Sequence, residues 1–256
     1  MDLGLQGRRA LVLGGSRGIG RAIADIFAAE GAAVALCARN KDQVTQAVQA
    51  IERHGVNAYG EALDIADASA LKAFVANAAR TLGGLDMVVS NASALIQGSA
   101  PADWKAMLDI DILGVVNLVE AALPHLEDAA KKRGDASIVA ISSVSAVMAN
   151  QASAYGAMKA ALIHLIKGYA RGLASKKIRA NAISPGSIYF EGGVWHRIEE
   201  RQPDFFKQMV ERNPLKRMGS PEEIANAAVF LASPRSSFTT GANLIVDGAI
   251  TDRANY

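Results

Sequence analysis

Tyr155 and Lys159 stand four residues apart in the alanine-rich run Ser153-Ala-Tyr-Gly-Ala-Met-Lys-Ala-Ala-Leu162. At about 3.6 residues per turn they share one helix face. Free tyrosine titrates at about 10, too high for acid–base work at neutral pH. An ammonium one turn away favours the phenolate. Such a pair can give a proton to a carbonyl oxygen or take one from an alcohol. Tyr-x3-Lys alone is a weak motif; its place in the chain strengthens it. It follows the apolar run Ser137–Ile141 and a serine-rich turn beginning Ser142-Ser-Val-Ser145. Sites in α/β sheets gather at the C-terminal ends of strands, and a serine hydroxyl from that turn could hydrogen-bond the same oxygen.

A second group lies near the N-terminus. Gly14-Gly-Ser16-Arg17-Gly18-Ile19-Gly20 directly follows the apolar run Ala10–Leu13 and precedes the helical pattern Arg21–Ala29. Strand, glycine turn and helix together aim backbone N–H groups at a pyrophosphate. Glycine is needed where the chain turns sharply and where the backbone must approach the ligand. The spacing is G-x3-G-x-G, not the general dinucleotide G-x-G-x-x-G. The second apolar run ends Ala38-Arg39-Asn40, with no acid where an NAD-selecting fold places one on the ribose 2′-hydroxyl. Arg17 and Arg39 carry guanidinium groups suited to a 2′-phosphate. NADP(H) is therefore the expected cofactor, with NAD(H) as the alternative.

The elements that must position these residues are legible as alternation. Ala10–Leu13, Ala33–Ala38, Met87–Ser90, Ser137–Ile141, Ala180–Ile183 and Asn243–Val246 are short apolar runs, and residues 57–65 form a seventh, less hydrophobic one. Helical spacing fills Arg21–Ala29, Gln43–Arg53, Ala68–Ala79, Asp103–Glu127, Tyr155–Ser175 and Pro221–Leu231. This order predicts a doubly wound, seven-stranded parallel α/β sheet with helices on both faces. Asp67 is placed to cap one helix, and Ser220-Pro-Glu-Glu223 to open another. No linker or repeat divides the chain, so residues 1–256 read as one domain. Residues 186–219 mix glycines, aromatics and charges and read as an irregular lid or substrate loop, an insertion over about 187–219.

Composition narrows the function classes. Of 256 residues, half are hydrophobic and 5% aromatic, which suits an Ala/Val/Ile/Leu core. A formal charge of +2 gives no electrostatic case for a nucleic-acid or membrane partner. The single cysteine, Cys37, allows no disulfide framework and reads as a small buried residue. Four scattered histidines and that cysteine show no metal-ligand spacing. The apolar run near the N-terminus is too short for a signal segment, and no stretch reaches the ~18 apolar residues of a membrane span. A cytoplasmic location is expected.

With both motifs in this order, the whole chain resembles the short-chain dehydrogenase/reductase family. That resemblance implies a single-domain Rossmann-type fold and the cofactor contacts Gly14, Ser16, Arg17, Gly18, Ile19, Gly20 and Arg39. It adds Asp64 and Ile65 near the adenine, Asn91 and Ala92 in place of the family's NNAG, and the turn Pro185-Gly186 with Ile188 beyond it. Tyr155 and Lys159 match YxxxK and are implied to touch both cofactor and substrate. The departures are specific. Leu13 replaces the threonine of TGxxxGxG, and Ser90 and Ser93 replace the outer residues of NNAG. The active serine is Ser143, anchored on the strand, although Ser142 has the usual spacing to the tyrosine; a one-residue deletion in the loop accounts for the difference. Asp111 stands where the family has a catalytic asparagine, and Asn117 is off register. Aspartate accepts hydrogen bonds but supplies no amide donor.

The resemblance further implies hydride transfer between NADP(H) and a carbonyl or secondary alcohol, and a homotetramer built through helices 103–127 and 155–175. Among family members the pattern is similar to 3-oxoacyl-[acyl-carrier-protein] reductases. Lys131-Lys-Arg133 and Arg171 are basic groups that could meet an acidic acyl carrier, or simply a solvated charge run. Phe190 and Trp195 replace a polar segment and could line a closed apolar pocket; His196 reads as an exposed loop residue. A sugar or polyol dehydrogenase, or a cofactor-binding protein with little turnover, are the competing readings.

Overall fold

A computed structural model describes residues 2–149 and 152–253. Seven strands form one all-parallel sheet in the order β3-β2-β1-β4-β5-β6-β7. They are β1 (Arg9–Leu13), β2 (Ala33–Ala38), β3 (Ala58–Ala62), β4 (Met87–Ser90), β5 (Ala136–Ile141), β6 (Ile178–Pro185) and β7 (Asn243–Val246). The helices are α1 (Gly18–Ala29), α2 (Lys41–Glu52), α3 (Ala68–Leu82), α4 (Pro101–Met107), α5 (Gly114–Arg133), α6 (Ala154–Leu173), α7 (Val194–Arg201), α8 (Pro203–Arg212) and α9 (Pro221–Ala232).

Alternation along the strands builds two cores. Leu11, Leu13, Ala35, Cys37, Val88, Ile138 and Ala140 face one layer, where Phe74 of α3, Leu118 of α5 and Ile166 of α6 cover them. Ala10, Val12, Val34, Leu36, Val89 and Val139 face the other, under Phe27 of α1, Val44 of α2 and Ile224 of α9. Strands buried on both faces need apolar residues at every position, which is why they read as unbroken runs. Cys37 is wholly buried, and burial pushes its thiol up to about 12. No helix among the described residues is long and apolar enough to cross a membrane.

Helix ends follow the local chemistry. Asp67 accepts from the N–H groups of Ser69 and Ala70 and opens α3. The Glu223 carboxylate turns back to accept from Ser220 N–H at 2.9 Å as α9 begins at Pro221. Lys131, Lys132 and Arg133 close α5 before Gly134, which takes φ +80°.

Two stretches differ from expectation. The helical pattern over 103–127 is not one helix: a π-helical turn, Leu108–Leu113, separates α4 from α5. Its extra residue resets the helical phase, and Asp111 on it is 1% exposed. The region 186–219 is not irregular but holds α7 and α8. Trp195 of α7 stacks on Phe205 of α8, and Tyr189 meets Phe206 edge-on. No residue of either helix is fully buried, and both are richer in charged residues than the core helices, so neither stands out as an apolar run.

Candidate functional site

Leu13 of β1 pairs with Ser90 of β4 at the point where the sheet order reverses. Chain connections leave in opposite directions there, opening a crevice at the strand ends. The glycine loop follows Leu13, and Asn91 follows Ser90. Asn91 Nδ2 donates to the Gly14 carbonyl at 3.0 Å, tying one to the other. Gly14 takes φ +70°, and a Cβ there would lie 3.1 Å from the Ala92 backbone. Only glycine fits both the turn and the approach. Gly14 and Gly15 N–H groups donate to the Cys37 carbonyl at the end of β2. Ser16 Oγ reaches Gln43 Oε1 at 3.3 Å, and Gln43 N–H is held by the Asn40 side chain. The glycine loop and the corner carrying Arg39 are thus one bonded unit.

Arg17 and Arg39 are both exposed, and among the described residues neither is ion-paired. Asp64 is exposed and accepts from Ala66 N–H at 3.0 Å; Ile65 is buried beside Gly114, the first residue of α5. Pro185 ends β6, and Gly186 has no room for a side chain against Asp247. Ile188 bridges to Gly219 and is nearly buried.

The serine turn and α6 meet at the neighbouring strand end. Ser142 Oγ donates to the Lys159 carbonyl at 2.9 Å and is wholly committed to the core. Ser143 Oγ accepts from Ser145 N–H at 3.1 Å, which leaves its own proton available. Residues 150 and 151, between this turn and Tyr155, lie outside the described residues, and the one-residue deletion expected in that loop lies partly there. Tyr155 is half-buried in the first turn of α6. The next residue, Gly156, lets α6 close on the turn, because a Cβ there would fall 2.8 Å from the Ser145 carbonyl. The sequence carries this only as a glycine beside the tyrosine, a signal easily passed over.

Lys159 is 2% exposed. Its ammonium lies 5.6 Å from the centre of the Tyr155 ring and donates to the Ile141 carbonyl at 2.9 Å. It also meets Asp111 Oδ1 at 2.9 Å. Asp111 Oδ2 accepts from Ala94 N–H at 3.0 Å. Oδ1 makes no directed hydrogen bond, so its contact with the lysine is one of charge. A buried ammonium is costly unless paired, and Asp111 is the pair. Tyr155, Lys159 and Asp111 therefore meet from α6 and the π-helical turn, and the turn that carries Ser143 packs against the start of α6 through the Ser145 carbonyl and Gly156.

Several other residues take up different positions from those expected. Phe190 and Trp195 rest on different partners: the Phe190 ring lies on Gly18, and Trp195 stacks on Phe205. His196 is on α7, half-buried, with Nδ1 accepting from Gly192 N–H. Of the basic tract, Lys132 pairs with Asp128 on its own helix. Arg133 reaches the buried carboxylate of Asp86, where Arg8 and Arg9 also converge.

The family model described as enoyl-(acyl carrier protein) reductase matches residues 14–251. Isoepoxydon dehydrogenase of Penicillium expansum is 38% identical over 255 residues, spanning 98% of this chain and 97% of that one. A 3-oxoacyl-[acyl-carrier-protein] reductase of Staphylococcus aureus is 34% identical, spanning 95% and 98%. The crystal structure of L-sorbose reductase from Gluconobacter frateurii, complexed with NADPH and L-sorbose, superposes with a TM-score of 0.90. It is 30% identical and spans 99% of this chain and 100% of that one. On motif order, fold and these matches, the chain belongs to the short-chain dehydrogenase/reductase family of oxidoreductases.

Proposed function

We propose that the chain is an NADP(H)-dependent enzyme acting on a small carbonyl compound or the matching secondary alcohol. The observation that carries this is Lys159, buried beneath the Tyr155 ring and held by Asp111 and the Ile141 carbonyl. The residues present fit the cofactor. A side chain at Gly14 or Gly20 would crowd the backbone of the turn, and Arg39 rather than an acid follows β2. Gly14, Ser16, Arg17, Gly18, Ile19 and Gly20 would hold the pyrophosphate side. Arg17 and Arg39 would take the 2′-phosphate, Asp64 and Ile65 the adenine, and Asn91, Ala92, Pro185, Gly186 and Ile188 the nicotinamide side. When bound, NADP(H) supplies or accepts the hydride.

The chain's own groups handle the oxygen. In the reductive direction Tyr155 gives its proton to the carbonyl oxygen as that atom gains charge. Ser143 donates a hydrogen bond to the same oxygen. The Lys159 cation stabilises the phenolate left behind, and Asp111 fixes the ammonium in position. In the oxidative direction each proton moves the other way.

Arg133 is drawn to Asp86 and Lys132 to Asp128, while Lys131 and Arg171 are exposed and, among the described residues, not ion-paired. A small sugar-like carbonyl is the reading that the sorbose-bound relative supports. A 3-oxoacyl thioester is the second reading, supported by the acyl-carrier-protein reductase match. Residues 187–219, with α7 and α8, form the substrate-side cover in either case. A tetramer through α5 and α6 belongs to the same reading and is checked by sedimentation. The direct test is a panel of ketoses, polyols, cyclic ketones and 3-oxoacyl thioesters with NADPH and NADH, followed by nicotinamide absorbance. Turnover with none of them would favour a cofactor-binding protein instead.

A further inference from the structure

We propose that Phe190 is a gate on the glycine turn, covering the N-terminal end of α1 until its ring swings away. The inference rests on the reading of Gly14–Gly20 as a pyrophosphate cradle. The ring lies directly on Gly18. A Cβ built there would fall 2.5 Å from Phe190 Cζ and 2.8 and 2.9 Å from the two Cε atoms. Gly18 is the first residue of α1, and among the described residues no side chain caps the N–H groups that follow. A pyrophosphate drawn to those groups needs the surface on which the ring rests. An aromatic face cannot replace an anion as their acceptor, so ring and phosphate compete.

The segment carrying Phe190 is built to move as a small strap. Gly193 N–H donates to the Phe190 carbonyl at 2.9 Å, and Gly192 takes φ +72°, closing a four-residue turn. Its root is fixed: Tyr189 N–H donates to the Gly219 carbonyl and Gly219 N–H to the Ser187 carbonyl, each at 2.9 Å. Its far end runs into α7, which with α8 has no fully buried residue. Few buried contacts mean low local stability.

The strap meets the glycine loop through the Phe190 ring and through a long hydrogen bond, from Arg17 Nη1 to the Gly192 carbonyl at 3.4 Å. Arg17 is also a candidate phosphate partner. Incoming NADPH would therefore compete twice, its pyrophosphate for the surface under the ring and its 2′-phosphate for the guanidinium that holds the turn.

Stopped-flow binding of NADPH, read by quenching of protein tryptophan fluorescence, tests the gate without turnover. In the wild type the observed rate should level off as NADPH rises, because ring opening becomes limiting. In Phe190→Ala it should stay linear, with association at low NADPH about tenfold faster if the gate is open about a tenth of the time. Phe190→Thr should repeat the result, and covers the case in which the alanine variant folds poorly. A linear wild-type rate that neither variant accelerates overturns the gate alone. So does slower or weaker binding by the variants, which would make the ring part of the binding surface. If folded wild type and variants all fail to bind NADPH, the cradle reading falls and takes the gate with it.

Discussion

The Lys159 ammonium and the Asp111 carboxylate face each other at 2.9 Å with their side chains 3% and 0% exposed. Asp111 Oδ2 accepts from Ala94 N–H, and Oδ1 faces the Lys159 charge. Asparagine here would set its amide N–H2 against one donor or the other, whichever way it turned. Asp111→Ala leaves the ammonium without its carboxylate and should cost roughly 3–5 kcal/mol of stability. Asp111→Asn should also destabilise. Urea denaturation of both variants checks this; an Asp111→Asn protein as stable as wild type would refute the pairing.

The two adjacent serines should separate stability from catalysis. Ser142→Ala loses the bond to the Lys159 carbonyl and should lower stability by about 1 kcal/mol while keeping most turnover. Ser143→Ala should fold normally and lose roughly 10²–10³-fold in kcat, the usual effect of removing an oxyanion donor. Thermal melts and kcat for both variants decide between them, and the reverse pattern would make Ser142 the active serine.

Arg39 stands exposed just past β2, and among the described residues no carboxylate is paired to it. Arg39→Ala should weaken NADPH binding by about tenfold or more and leave NADH nearly unchanged, the loss expected of a charge-assisted phosphate contact. Titration of both reduced cofactors by fluorescence measures the ratio. An unchanged preference would remove Arg39 from the 2′-phosphate.

Arg217 and Glu223 fasten the start of α9. The bidentate Arg217 guanidinium, helped by Ser220 N–H, holds the Glu223 carboxyl at about 2, below its ordinary 4.5. A carboxyl lowered on folding adds stability that is present above the unfolded value and lost as pH falls through the folded one. Wild type should therefore be more stable than Glu223→Gln at neutral pH. That margin should shrink between about pH 4.5 and pH 2. It should be small, since the side chains are 54% and 40% exposed. Melting temperatures across that range check the sign.

The parallel sheet was legible because its strands are buried on both faces. Ala33–Ala38, Met87–Ser90 and Asn243–Val246 are bounded in the structure as their apolar runs suggest. Tyr155, Lys159 and Ser143 were legible because one turn and one helix carry them all. The π-helical turn at 108–113 was not, since a shift in backbone hydrogen bonding has no residue-type signature. The helices α7 and α8 were hidden because they lie on the surface through aromatic pairs. The contact of Phe190 with Gly18, and the convergence of Arg8, Arg9 and Arg133 on Asp86, join residues distant in the chain. Topology brings them together, and no local pattern announces it.

The most direct test of the central claim is Tyr155→Phe, assayed with NADPH and whichever carbonyl the wild type reduces best. The ring and its packing over Lys159 are kept, and only the hydroxyl is lost. The variant should bind NADPH as the wild type does and lose at least about 10²-fold in kcat, as removal of a general acid requires. Turnover within a few-fold of wild type would show that the proton comes from another group and would contradict the account.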